Sequence, residues 1–376
     1  MLVVGEASGD AHAAHLVEAL RRNASNVEFE FFGSTGQSLR DLSVETIIKA
    51  DELAITGLLE IGKALPMFWG VFQKLKQAAI ERKPDAVVLV DFPDFNMKLA
   101  KSLKKQGLKV IYYVSPQLWA WRSYRIKTIE KYVDLLLAIL PFEKKWYAER
   151  GVNHVEFVGH PMVGEVSPKL SKTEFCRKHD LDENKPIVAL LAGSRRKEVT
   201  RILPPMLDAV EILHKKNPEI QFVLAVAPTR KREDLEKIVS ESKAELPKIT
   251  IVQRETHEAV ASADAAIVAS GTATLETGLL NTPMVIVYKV SAHNWHTLRH
   301  LVNVPHYGLI NLIAEERLAK ELIQHECNGE LIAEEILRLL EPVVNKKFRQ
   351  RLAEITETLG NGGASERAAE AILNIL

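Results

Sequence analysis

The chain has 376 residues, of which 47% are hydrophobic and 26% are charged, a balance typical of a folded globular protein. Lys plus Arg and Asp plus Glu number 49 each, so the net charge of zero gives no reason to expect a nucleic-acid partner. Two cysteines exclude a disulfide framework, and no apolar stretch reaches the length of a membrane span. The length predicts two domains.

Short aliphatic runs alternate with amphipathic stretches along the first half of the chain. A buried strand between two helices is a continuous hydrophobic run, so this alternation predicts a parallel sheet that is covered on both faces. The predicted strands are 1–4, 28–32, 86–90, 109–114, 134–139 and 155–158, and the predicted helices are 11–22, 66–82, 96–106, 122–131 and 142–150.

The alternation begins again after a polar, proline-bearing joint at 160–186. We therefore predict an α/β protein with two doubly wound, Rossmann-like domains that face a cleft. The predicted strands are 187–191, 220–226, 249–252, 265–268 and 284–288, and the predicted helices are 196–215, 230–242, 256–262, 273–280 and 315–325, before a helical tail that "NGGAS" interrupts at 361–365. The predicted domains are 1–164, 165–345 and a C-terminal tail, 346–376, that packs back toward the N-terminal domain.

The segment "GEASGD" (5–10) follows the first predicted strand, and doubly wound sheets bind ligands beyond the carboxyl ends of their strands. It is not a Walker A loop, because it lacks Gly-Lys-Ser/Thr, and it is not a GxGxxG motif. Two interpretations stand on equal terms. One is a ligand-facing turn whose amides hold an anion, and the other is a tight turn in which Asp10 caps the next helix.

The segment "VDFPDFN" (90–96) ends the third predicted strand. Asp91 is the first residue beyond the apolar run, and Asp94 is placed to cap a helix that starts near Asn96. One cap is expected here, so two carboxylates leave one spare, and a spare carboxylate at a strand end is a candidate general base. The alternative is that both aspartates are caps.

Two further strand ends carry aromatic or ionisable side chains. In "VSPQLWAWR" (114–122), Trp119 and Trp121 are candidates for a pocket wall, with Arg122 facing a phosphate. Packing of at least one tryptophan in the core is the competing interpretation. In "VGHP", His160 lies where the two domains are expected to face each other, although a single histidine is more often structural than catalytic.

The second half contains two turns of small residues. "AGSRRKEV" (192–199) and "ASGTATLE" (269–276) each follow a predicted strand and open a predicted helix, so their amides lie at the positive end of a helix dipole. An arginine can neutralise a diphosphate, and a carboxylate one turn into the helix can accept hydrogen bonds from ribose hydroxyls. Helix capping explains either turn alone, whereas the pair favours a nucleotide diphosphate site. The candidate residues are Ser194, Arg195, Ser270, Gly271, Thr272 and Glu276.

These motifs, together with "YYVSPQLWAWR" (112–122), "LPFEKKWY" (140–147) and "FVGHP", resemble the lipid-A-disaccharide synthase family in order and spacing over essentially the whole chain. "GHP" recurs in other nucleotide-sugar enzymes, but its combination with "VSPQLWAWR" is specific. The resemblance implies a GT-B glycosyltransferase that binds UDP in its C-terminal half and the acceptor in its N-terminal half. Family members carry more residues before the first strand than the "MLVV" that precedes Gly5, so we expect a short first strand or a start codon placed late.

The resemblance also implies the reaction. UDP-2,3-diacylglucosamine is the implied donor, and 2,3-diacylglucosamine 1-phosphate (lipid X) is the implied acceptor. A single inverting displacement would give the β-1,6-linked lipid A disaccharide 1-phosphate and UDP. The resemblance implies no metal and no cofactor, because backbone amides and an arginine neutralise the diphosphate instead.

Residue roles follow from the same resemblance. Asp91 matches the proposed base, Arg195 matches the arginine that neutralises the diphosphate, and Glu276 would hold the ribose. Asn311 matches the "NL" step near the active site. The residues expected on the acceptor side or in the cleft are Glu6, Ser8, Asp10, Trp121, His160 and Asn311.

The stretch "IGKALPMFWGVFQKLKQ" (61–77) has the composition of an interfacial helix, with aromatic residues on one face and lysines around it. A helix that covers a sheet also needs one apolar face, and that is the competing interpretation. The expected membrane contacts are Leu65, Met67, Phe68, Trp69 and Phe72. Because both implied substrates are acylated, we expect a peripheral protein at the cytoplasmic face of the inner membrane, and the resemblance implies a homodimer.

Two other functions fit some of the same residues. A UDP-N-acetylglucosamine 2-epimerase would share "GHP" and the ribose glutamate, but it has no use for the aromatic segment "PMFWGVF". A membrane-associated protein that only binds a nucleotide would not need Asp91. The spare carboxylate argues against this second alternative.

Overall fold

The computed structural model describes residues 1–50, 58–291, 295 and 304–376, with the side chains of all of these except 58–65. The chain divides into an N-terminal unit, Met1–Val163 with Leu359–Leu376, and a C-terminal unit, Gly164–Thr358. Each unit contains one parallel sheet with helices packed against it. The predicted α/β class with two doubly wound sheets is therefore confirmed.

The N-terminal sheet is built from strands that are short and almost entirely apolar. Its strands are β1 Leu2–Val3, β2 Phe32–Thr35, β3 Glu45–Lys49, β4 Val87–Val90, β5 Val110–Tyr113, β6 Leu135–Ala138 and β7 Val155–Phe157. They are all parallel, in the order β3-β2-β1-β4-β5-β6-β7. The order reverses direction between β1 and β4, as in other doubly wound folds.

The N-terminal sheet is buried on both faces, because successive side chains of a strand point to opposite sides. In β4, Val87 and Leu89 join one hydrophobic cluster, and Val88 and Val90 join another. The helices of this part of the chain are α1 Ala7–Asn23, α2 Gln37–Asp41, α3 Leu58–Arg82, α4 Pro93–Lys104, α5 Ile126–Tyr132 and α6 Glu143–Ala148. Helices α3 and α4 cover the first cluster, and α1 covers the second.

The C-terminal sheet repeats this strand order. Its strands are β8 Ile187–Leu191, β9 Gln221–Val226, β10 Ile249–Gln253, β11 Ala265–Ala269, β12 Met284–Tyr288 and β13 Glu321–Ile323. They are parallel, in the order β10-β9-β8-β11-β12-β13, with the reversal between β8 and β11. Strands β8 and β11 are buried along their whole length, which explains their uninterrupted hydrophobic sequences.

A helix occupies part of the predicted joint. Ser171 and Glu174 form a capping box, in which the Ser171 amide donates to Glu174 Oε2 at 2.8 Å and the Glu174 amide donates to Ser171 Oγ at 3.3 Å. The polar residues of this stretch therefore start a helix rather than form a linker. The helices among the described residues of the C-terminal unit are α7 Lys172–His179, α8 Arg196–Lys216, α9 Arg232–Ser240, α10 Thr256–Ser262, α11 Thr272–Leu279, α12 Leu309–Ala314, α13 Gly329–Leu340 and α14 Pro342–Glu357.

The predicted tail, 346–376, differs from the structure because its two helices belong to different units. Helix α14 packs against α11 and α13 of the C-terminal unit, where it buries Phe348, Leu352 and Ile355. The last helix, α15 (Ala364–Leu373), packs against α1 and completes the second cluster of the N-terminal unit. Only the second half of the tail therefore returns to the N-terminal unit.

Other predicted elements were wrong at the sheet edges. The alternation in 28–31 predicts a strand, but β2 begins only at Phe32. The good helix formers in 315–325 predict a helix, whereas Glu321–Ile323 form the buried edge strand β13 beside β12. Burial of a short apolar segment overrides helix propensity here. The edge strand β3 and the helices α12 and α13 were not predicted.

Candidate active site

Each sheet has a switch point, the place where the strand order reverses and where doubly wound folds bind ligands. In the N-terminal unit it lies between β1 and β4, which lead into Gly5–Asp10 and Asp91–Asn96. In the C-terminal unit it lies between β8 and β11, which lead into the Gly-Ser-Arg turn (Gly193–Arg195) and the Ser-Gly-Thr turn (Ser270–Thr272). Four motifs selected from the sequence therefore lie at the two switch points.

The backbone of Asp91 is held in a strained conformation. Its φ of 48° and the φ of 50° at Phe92 lie in the left-handed region, which costs about 1–2 kcal/mol for each non-glycine residue. The Asp91 carbonyl oxygen accepts hydrogen bonds from Tyr112 Oη at 2.7 Å and from Asn96 Nδ2 at 2.8 Å. These bonds fix the backbone, and with it the direction of the carboxyl group.

The carboxyl group of Asp91 has an environment that suits a base. Burial raises its pKa, and the nearby charge of Glu6 raises it further, while a hydrogen bond with the Phe92 backbone opposes both effects. A raised pKa makes the ionised carboxylate a better proton acceptor. Glu6 is exposed at the N-cap position of α1. The structure therefore brings together one carboxyl from the end of β1 and one from the end of β4.

Asp10 is a structural residue, and the prediction that it contacts a ligand is not supported by its surroundings. Its side chain is 3% exposed. Oδ1 accepts a hydrogen bond from the Gly36 amide and Oδ2 accepts one from the Ser38 amide, both at 2.7 Å. Asp10 thus holds the start of α2 rather than that of its own helix. Of the other predicted contacts in this segment, Ser8 is exposed in the first turn of α1.

Asp94 is an ion-pair partner and not a helix cap. Helix α4 begins at Pro93, and no side chain caps it. Asp94 Oδ1 pairs with Arg122 Nη1 at 2.7 Å and with Arg125 Nη2 at 2.6 Å. The Arg122 guanidinium also lies 4.0 Å from the ring centroid of Trp121, which is 44% exposed. Trp121 is therefore exposed, its role as a pocket wall stays a prediction, and its arginine neighbour is engaged by a carboxylate.

Trp119 packs in the protein and is fixed by a buried carboxyl group. Its Nε1 donates to Glu143 Oε1 at 3.2 Å, and its ring meets Phe142 edge-on at 5.1 Å. Glu143 Oε2 accepts from the Leu140 amide at 3.0 Å. Burial raises the pKa of Glu143 to about 7, although these hydrogen bonds act in the opposite direction. Glu143 therefore ties "VSPQLWAWR" to "LPFEKKWY", a link that sequence reasoning did not identify.

His160 is buried, with both its backbone and its ring engaged. Its amide donates to Leu359 O at 2.9 Å, and its Nδ1 accepts a hydrogen bond from the Met162 amide at 3.2 Å. Burial, with an added contribution from the neighbouring His12, lowers its pKa to about 4. A neutral imidazole with these bonds supports the structural interpretation more than the catalytic one.

Arg195 occupies the N-cap position of α8 and reaches into solvent. Its side chain is 83% exposed, and its Nη1 lies 3.2 Å from Glu198 Oε1. The Arg195 amide donates to Glu198 Oε2 at 3.3 Å, which closes the first turn of the helix. Ser194 beside it is exposed as well. Most of the guanidinium surface is therefore available to an anion.

The Ser-Gly-Thr turn presents the start of α11 to solvent. Gly271 and Thr272 are exposed, and the helix begins at Thr272, so its first amides point outward. The Ser270 hydroxyl has a different role from the one predicted, because Ser270 Oγ donates to Tyr307 O at 2.7 Å. Burial raises the pKa of Glu276, which lies one turn into the helix, while the charge of His257 opposes that effect.

Asn311 is fully buried, so the prediction that it lines a cleft is wrong. Its Nδ2 donates to Ala319 O at 2.8 Å and to Glu321 Oε1 at 2.9 Å. Its Oδ1 accepts a hydrogen bond from the Ala319 amide at 2.9 Å. With its amide group engaged in these three bonds, Asn311 acts on the structure around it rather than on a ligand.

Two tyrosines near the Gly-Ser-Arg turn were missed from the sequence. Tyr288 ends β12, and its ring stacks on that of Tyr307 with centroids 6.2 Å apart. Burial raises the pKa of Tyr288, the charge of Glu198 raises it further, and Arg195 lowers it, so the tyrosine lies beside this ion pair. The aromatic end of the apolar run "MVIVY" is the signal that would have identified it.

Sequence comparisons agree with this arrangement over the whole chain. A family model described as lipid-A-disaccharide synthetase matches residues 1–375. A lipid-A-disaccharide synthase from Trichlorobacter lovleyi is 43% identical over 377 residues, which cover 100% of this chain and 97% of that protein. The chain belongs to the lipid-A-disaccharide synthase family. The same named enzyme from Syntrophus aciditrophicus is also 43% identical, with the same coverage.

Solved structures with low sequence identity share the fold of this synthase family member. A putative UDP-N-acetylglucosamine 2-epimerase from Listeria monocytogenes matches with a TM-score of 0.65 at 16% identity, over 100% of this chain and 95% of that one. The glycotransferase of kitacinnamycin matches with a TM-score of 0.64 at 13% identity, over 100% and 98%. The chain therefore has the GT-B architecture of two Rossmann-like domains.

Membership of the family establishes the class of enzyme. The chain is a hexosyltransferase of lipid A disaccharide synthesis, and the predicted function is confirmed at that level. The epimerase alternative shares the fold but is not favoured, because the family model and the curated relatives carry the synthase name. None of the described helices is both long and apolar enough to span a membrane.

The aromatic helix α3 supports both interpretations of its sequence. Val71, Leu75 and Ala79 are buried against the sheet, and Phe68 and Phe72 pack against the same cluster. Trp69 is 64% exposed, and Met67 is exposed as well. The side chain of Leu65 lies outside the described residues. The sheet-covering interpretation therefore accounts for Phe68 and Phe72, and the interfacial interpretation is left with Met67 and Trp69.

Proposed function

We propose that this chain transfers 2,3-diacylglucosamine from its UDP derivative to 2,3-diacylglucosamine 1-phosphate. The products are the β-1,6-linked disaccharide 1-phosphate and UDP. The observation that carries the proposal is the pair of switch points, one with the partly buried carboxyl group of Asp91 and the other with an exposed arginine and free helix amides. Those are the two sets of groups that an inverting sugar transfer from a nucleotide needs.

The chemical step is a single displacement. The acceptor hydroxyl loses its proton to a carboxylate as its oxygen bonds to the anomeric carbon of the donor. The bond from that carbon to the diphosphate oxygen breaks, and its electron pair leaves with UDP. The base accepts one proton and the leaving group gains one negative charge, so the reaction needs no oxidant and no reductant.

Asp91 is the proposed base on the acceptor side. Its partly buried carboxyl group is next to Glu6, and its strained backbone is held by Tyr112 and Asn96. Fixed orientation and a raised pKa both favour removal of a proton from a sugar hydroxyl. The proposed acceptor contacts are the exposed side chains of Glu6, Ser8 and Trp121. Glu6 and Ser8 belong to the segment that follows β1, and Trp121 is next to Arg122, the ion-pair partner of Asp94.

The Gly-Ser-Arg and Ser-Gly-Thr turns are the proposed donor site. Arg195 and the amides of Gly271 and Thr272 would neutralise the diphosphate and stabilise the charge that develops on the leaving group. Ser194 is placed to add a hydroxyl contact. Glu276 would accept hydrogen bonds from the ribose hydroxyls, since it lies one turn into the helix whose start would hold the diphosphate.

The proposed reaction uses neither a metal nor a cofactor. Arg195 and the helix amides supply positive potential where a metal would otherwise neutralise the diphosphate. Activity in the presence of EDTA tests this part of the proposal. A requirement for added Mg²⁺ would contradict it.

The proposed location is the cytoplasmic face of the inner membrane, with the protein bound peripherally. Both proposed substrates carry acyl chains, and Met67 and Trp69 present an exposed apolar surface on α3. Tryptophan and nearby lysines are typical of helices that lie in the membrane interface. We also propose a homodimer, which sedimentation of the purified protein would test.

The first experiment is a reaction with defined substrates. The purified protein is mixed with UDP-2,3-diacylglucosamine and lipid X in EDTA, and mass spectrometry follows UDP and the disaccharide. Disaccharide formation supports the substrate assignment and the absence of a metal together. UDP binding without any disaccharide would contradict the proposed reaction, and turnover of UDP-N-acetylglucosamine instead would favour an epimerase.

A further inference from the structure

The Ser-Gly-Thr turn of the C-terminal unit is braced by a neighbouring segment. We call Val304–Gly308, which leads into α12, the Tyr307 loop. The Tyr307 carbonyl oxygen accepts a hydrogen bond from Ser270 Oγ at 2.7 Å. The next residue but one, Leu309, donates its amide to Thr274 Oγ1 at 3.1 Å, and Thr274 Oγ1 donates to Gly271 O at 2.8 Å. The loop therefore holds the turn at Ser270, and the first residue of α12 is linked through Thr274 to Gly271.

The Tyr307 loop is itself held from behind by one buried carboxyl group. Glu321 at the start of β13 is 2% exposed. Its Oε1 accepts hydrogen bonds from the Tyr307 amide at 3.0 Å and the Gly308 amide at 2.9 Å, and its Oε2 lies 3.1 Å from the Tyr307 amide. Both faces of the Tyr307 peptide backbone are thus fixed, the amide by Glu321 and the carbonyl by Ser270.

Asn311 keeps Glu321 in place. It donates to Glu321 Oε1 at 2.9 Å and brackets the Ala319 backbone, two residues before Glu321, with two further hydrogen bonds. A buried carboxyl group is costly unless its oxygens are hydrogen-bonded. Among the described residues, the Glu321 carboxyl group accepts its hydrogen bonds from the loop and from Asn311. The network is therefore dedicated to the position of this loop.

Gly308 lies close to the side chain of Ile286 in β12. A Cβ atom on Gly308 would lie 2.3 Å from Ile286 Cδ1 and 3.5 Å from Glu321 Oε1. The backbone of the loop thus packs against the Ile286 side chain, and a side chain at this position would require Ile286 or the loop to shift. A shift of the loop would move Tyr307 away from Tyr288, which stacks on it beside Arg195.

We propose that Glu321 is a positioning residue for donor binding, acting through the Tyr307 loop on the Ser-Gly-Thr turn. The inference rests on the proposed placement of the UDP diphosphate at that turn. It also gives Asn311 a role without substrate contact: Asn311 supports Glu321, Glu321 supports the loop, and the loop supports the turn. Hydrogen-bond donors for a diphosphate must be held within a fraction of an ångström of their productive positions. A residue that supports the turn through a neighbouring loop therefore affects the affinity for UDP.

The test compares Glu321→Ala with Glu321→Gln. Alanine leaves the Tyr307 and Gly308 amides without their acceptor, whereas glutamine keeps one side-chain oxygen for them. We expect Glu321→Ala to weaken UDP binding and to raise the KM for the donor about tenfold, with the KM for the acceptor unchanged. Glu321→Gln should stay within about threefold of the wild type. Calorimetric titration with UDP and steady-state kinetics give these values.

Glu335→Ala is the matched control. Glu335 is another buried carboxyl group of the same unit, 3% exposed, but its partners are Arg338 at 2.5 Å and Lys320 at 3.9 Å. Its removal should lower the Tm while leaving UDP affinity unchanged. A second variant, Gly308→Ala, adds a methyl group between the loop and Ile286 Cδ1 while keeping the Glu321 side chain, and it should weaken UDP binding in the same direction. It keeps the test valid if Glu321→Ala fails to fold.

The outcomes separate this inference from the proposed function. If the wild type binds UDP and both Glu321→Ala and Gly308→Ala bind it as tightly, Glu321 has no positioning role. A loss of affinity in Glu335→Ala as large as in Glu321→Ala would also overturn the inference, because the effect would then follow stability alone. If the wild type does not bind UDP, the donor assignment itself fails.

Discussion

The two switch points occupy the same place in the strand order of their units but differ in chemistry. At the N-terminal one, Asp91 lies on a strained backbone, and partial burial together with the charge of Glu6 raises its pKa. At the C-terminal one, Arg195 is largely exposed, and the first amides of α11 are free. The topology thus determines where ligands bind. A few residues after each strand determine whether the site carries a carboxyl group that can accept a proton or positive groups that can bind an anion.

The largest expected effect is the loss of turnover when the carboxyl group at the N-terminal switch point is removed. Asp91→Asn removes the proposed base but keeps a residue that tolerates a left-handed φ, so the backbone strain is nearly unchanged. We expect kcat to fall about 10²–10⁴-fold, with UDP binding retained. Transfer assays and UDP titration on the same preparation measure both quantities. Turnover near that of the wild type would exclude Asp91 as the base.

The second-largest expected effect follows removal of the cation at the C-terminal switch point. Arg195→Ala removes the exposed cation, and we expect kcat/KM to fall about 10²–10³-fold together with weaker UDP binding. Arg196→Ala is the control, because it removes an equally charged side chain from the next position of α8. Equal losses in the two variants would indicate a general effect of charge and would contradict a specific contact.

The third prediction concerns the membrane, where only the N-terminal unit carries the proposed contact. Replacing Met67 and Trp69 by Ser should reduce binding to vesicles of anionic lipid about tenfold, because both side chains are exposed and apolar. Phe68 and Phe72 are left intact, since they pack in the core. Val343→Ser, an exposed apolar residue of the C-terminal unit, is the control. Unchanged sedimentation with vesicles would assign α3 to the core alone.

A smaller effect sharpens the role of Glu6. Glu6→Gln removes a neighbouring charge that raises the pKa of Asp91. The pKa of Asp91 should fall, so the acidic limb of the kcat/KM profile should move to lower pH. Assays across the acidic range for wild type and Glu6→Gln give this shift. A limb that stays in place would mean that another group controls it.

The smallest expected effect is on stability, at the buried carboxyl group of Glu143. Its pKa of about 7 in the folded protein, against an ordinary 4.5, means that the folded state binds more protons between these values. This group's contribution to stability therefore falls as pH rises through that range. Glu143→Gln cannot ionise, so its Tm should fall less than that of the wild type between about pH 5 and about pH 8. Parallel curves for the two proteins would contradict the assignment.

The sequence predicted the central strands and their motifs well, for a physical reason. Strands such as β4 and β8 are buried on both faces, so their composition is unmistakable, and the residues that follow them include Asp91 and Arg195. The edges were harder to predict, because β3 and β13 mix polar with apolar residues. Helix α14 was placed with the wrong neighbours, since an amphipathic pattern does not say which surface it covers.

Site residues could be found by position but not by role. Asp10 and Asn311 lie in the expected motifs, and both are buried residues that hold backbone amides or carbonyls. A short polar side chain at a turn can face a ligand or its own backbone, and the sequence is the same in both cases. Tyr307 and Glu321 were missed because their contacts join segments that are distant in sequence.

Helix α15 belongs to the N-terminal unit but is synthesised after the C-terminal unit. It completes the apolar cluster against α1, yet the ribosome makes it only after the whole of the C-terminal unit. Domains fold as units during translation, so the C-terminal unit has its full sequence first, while the facing surface of α1 is still uncovered. Synthesis of the N-terminal unit therefore starts first and is completed last. Until α15 is made, the uncovered face of α1 is available to a chaperone that binds apolar helix faces.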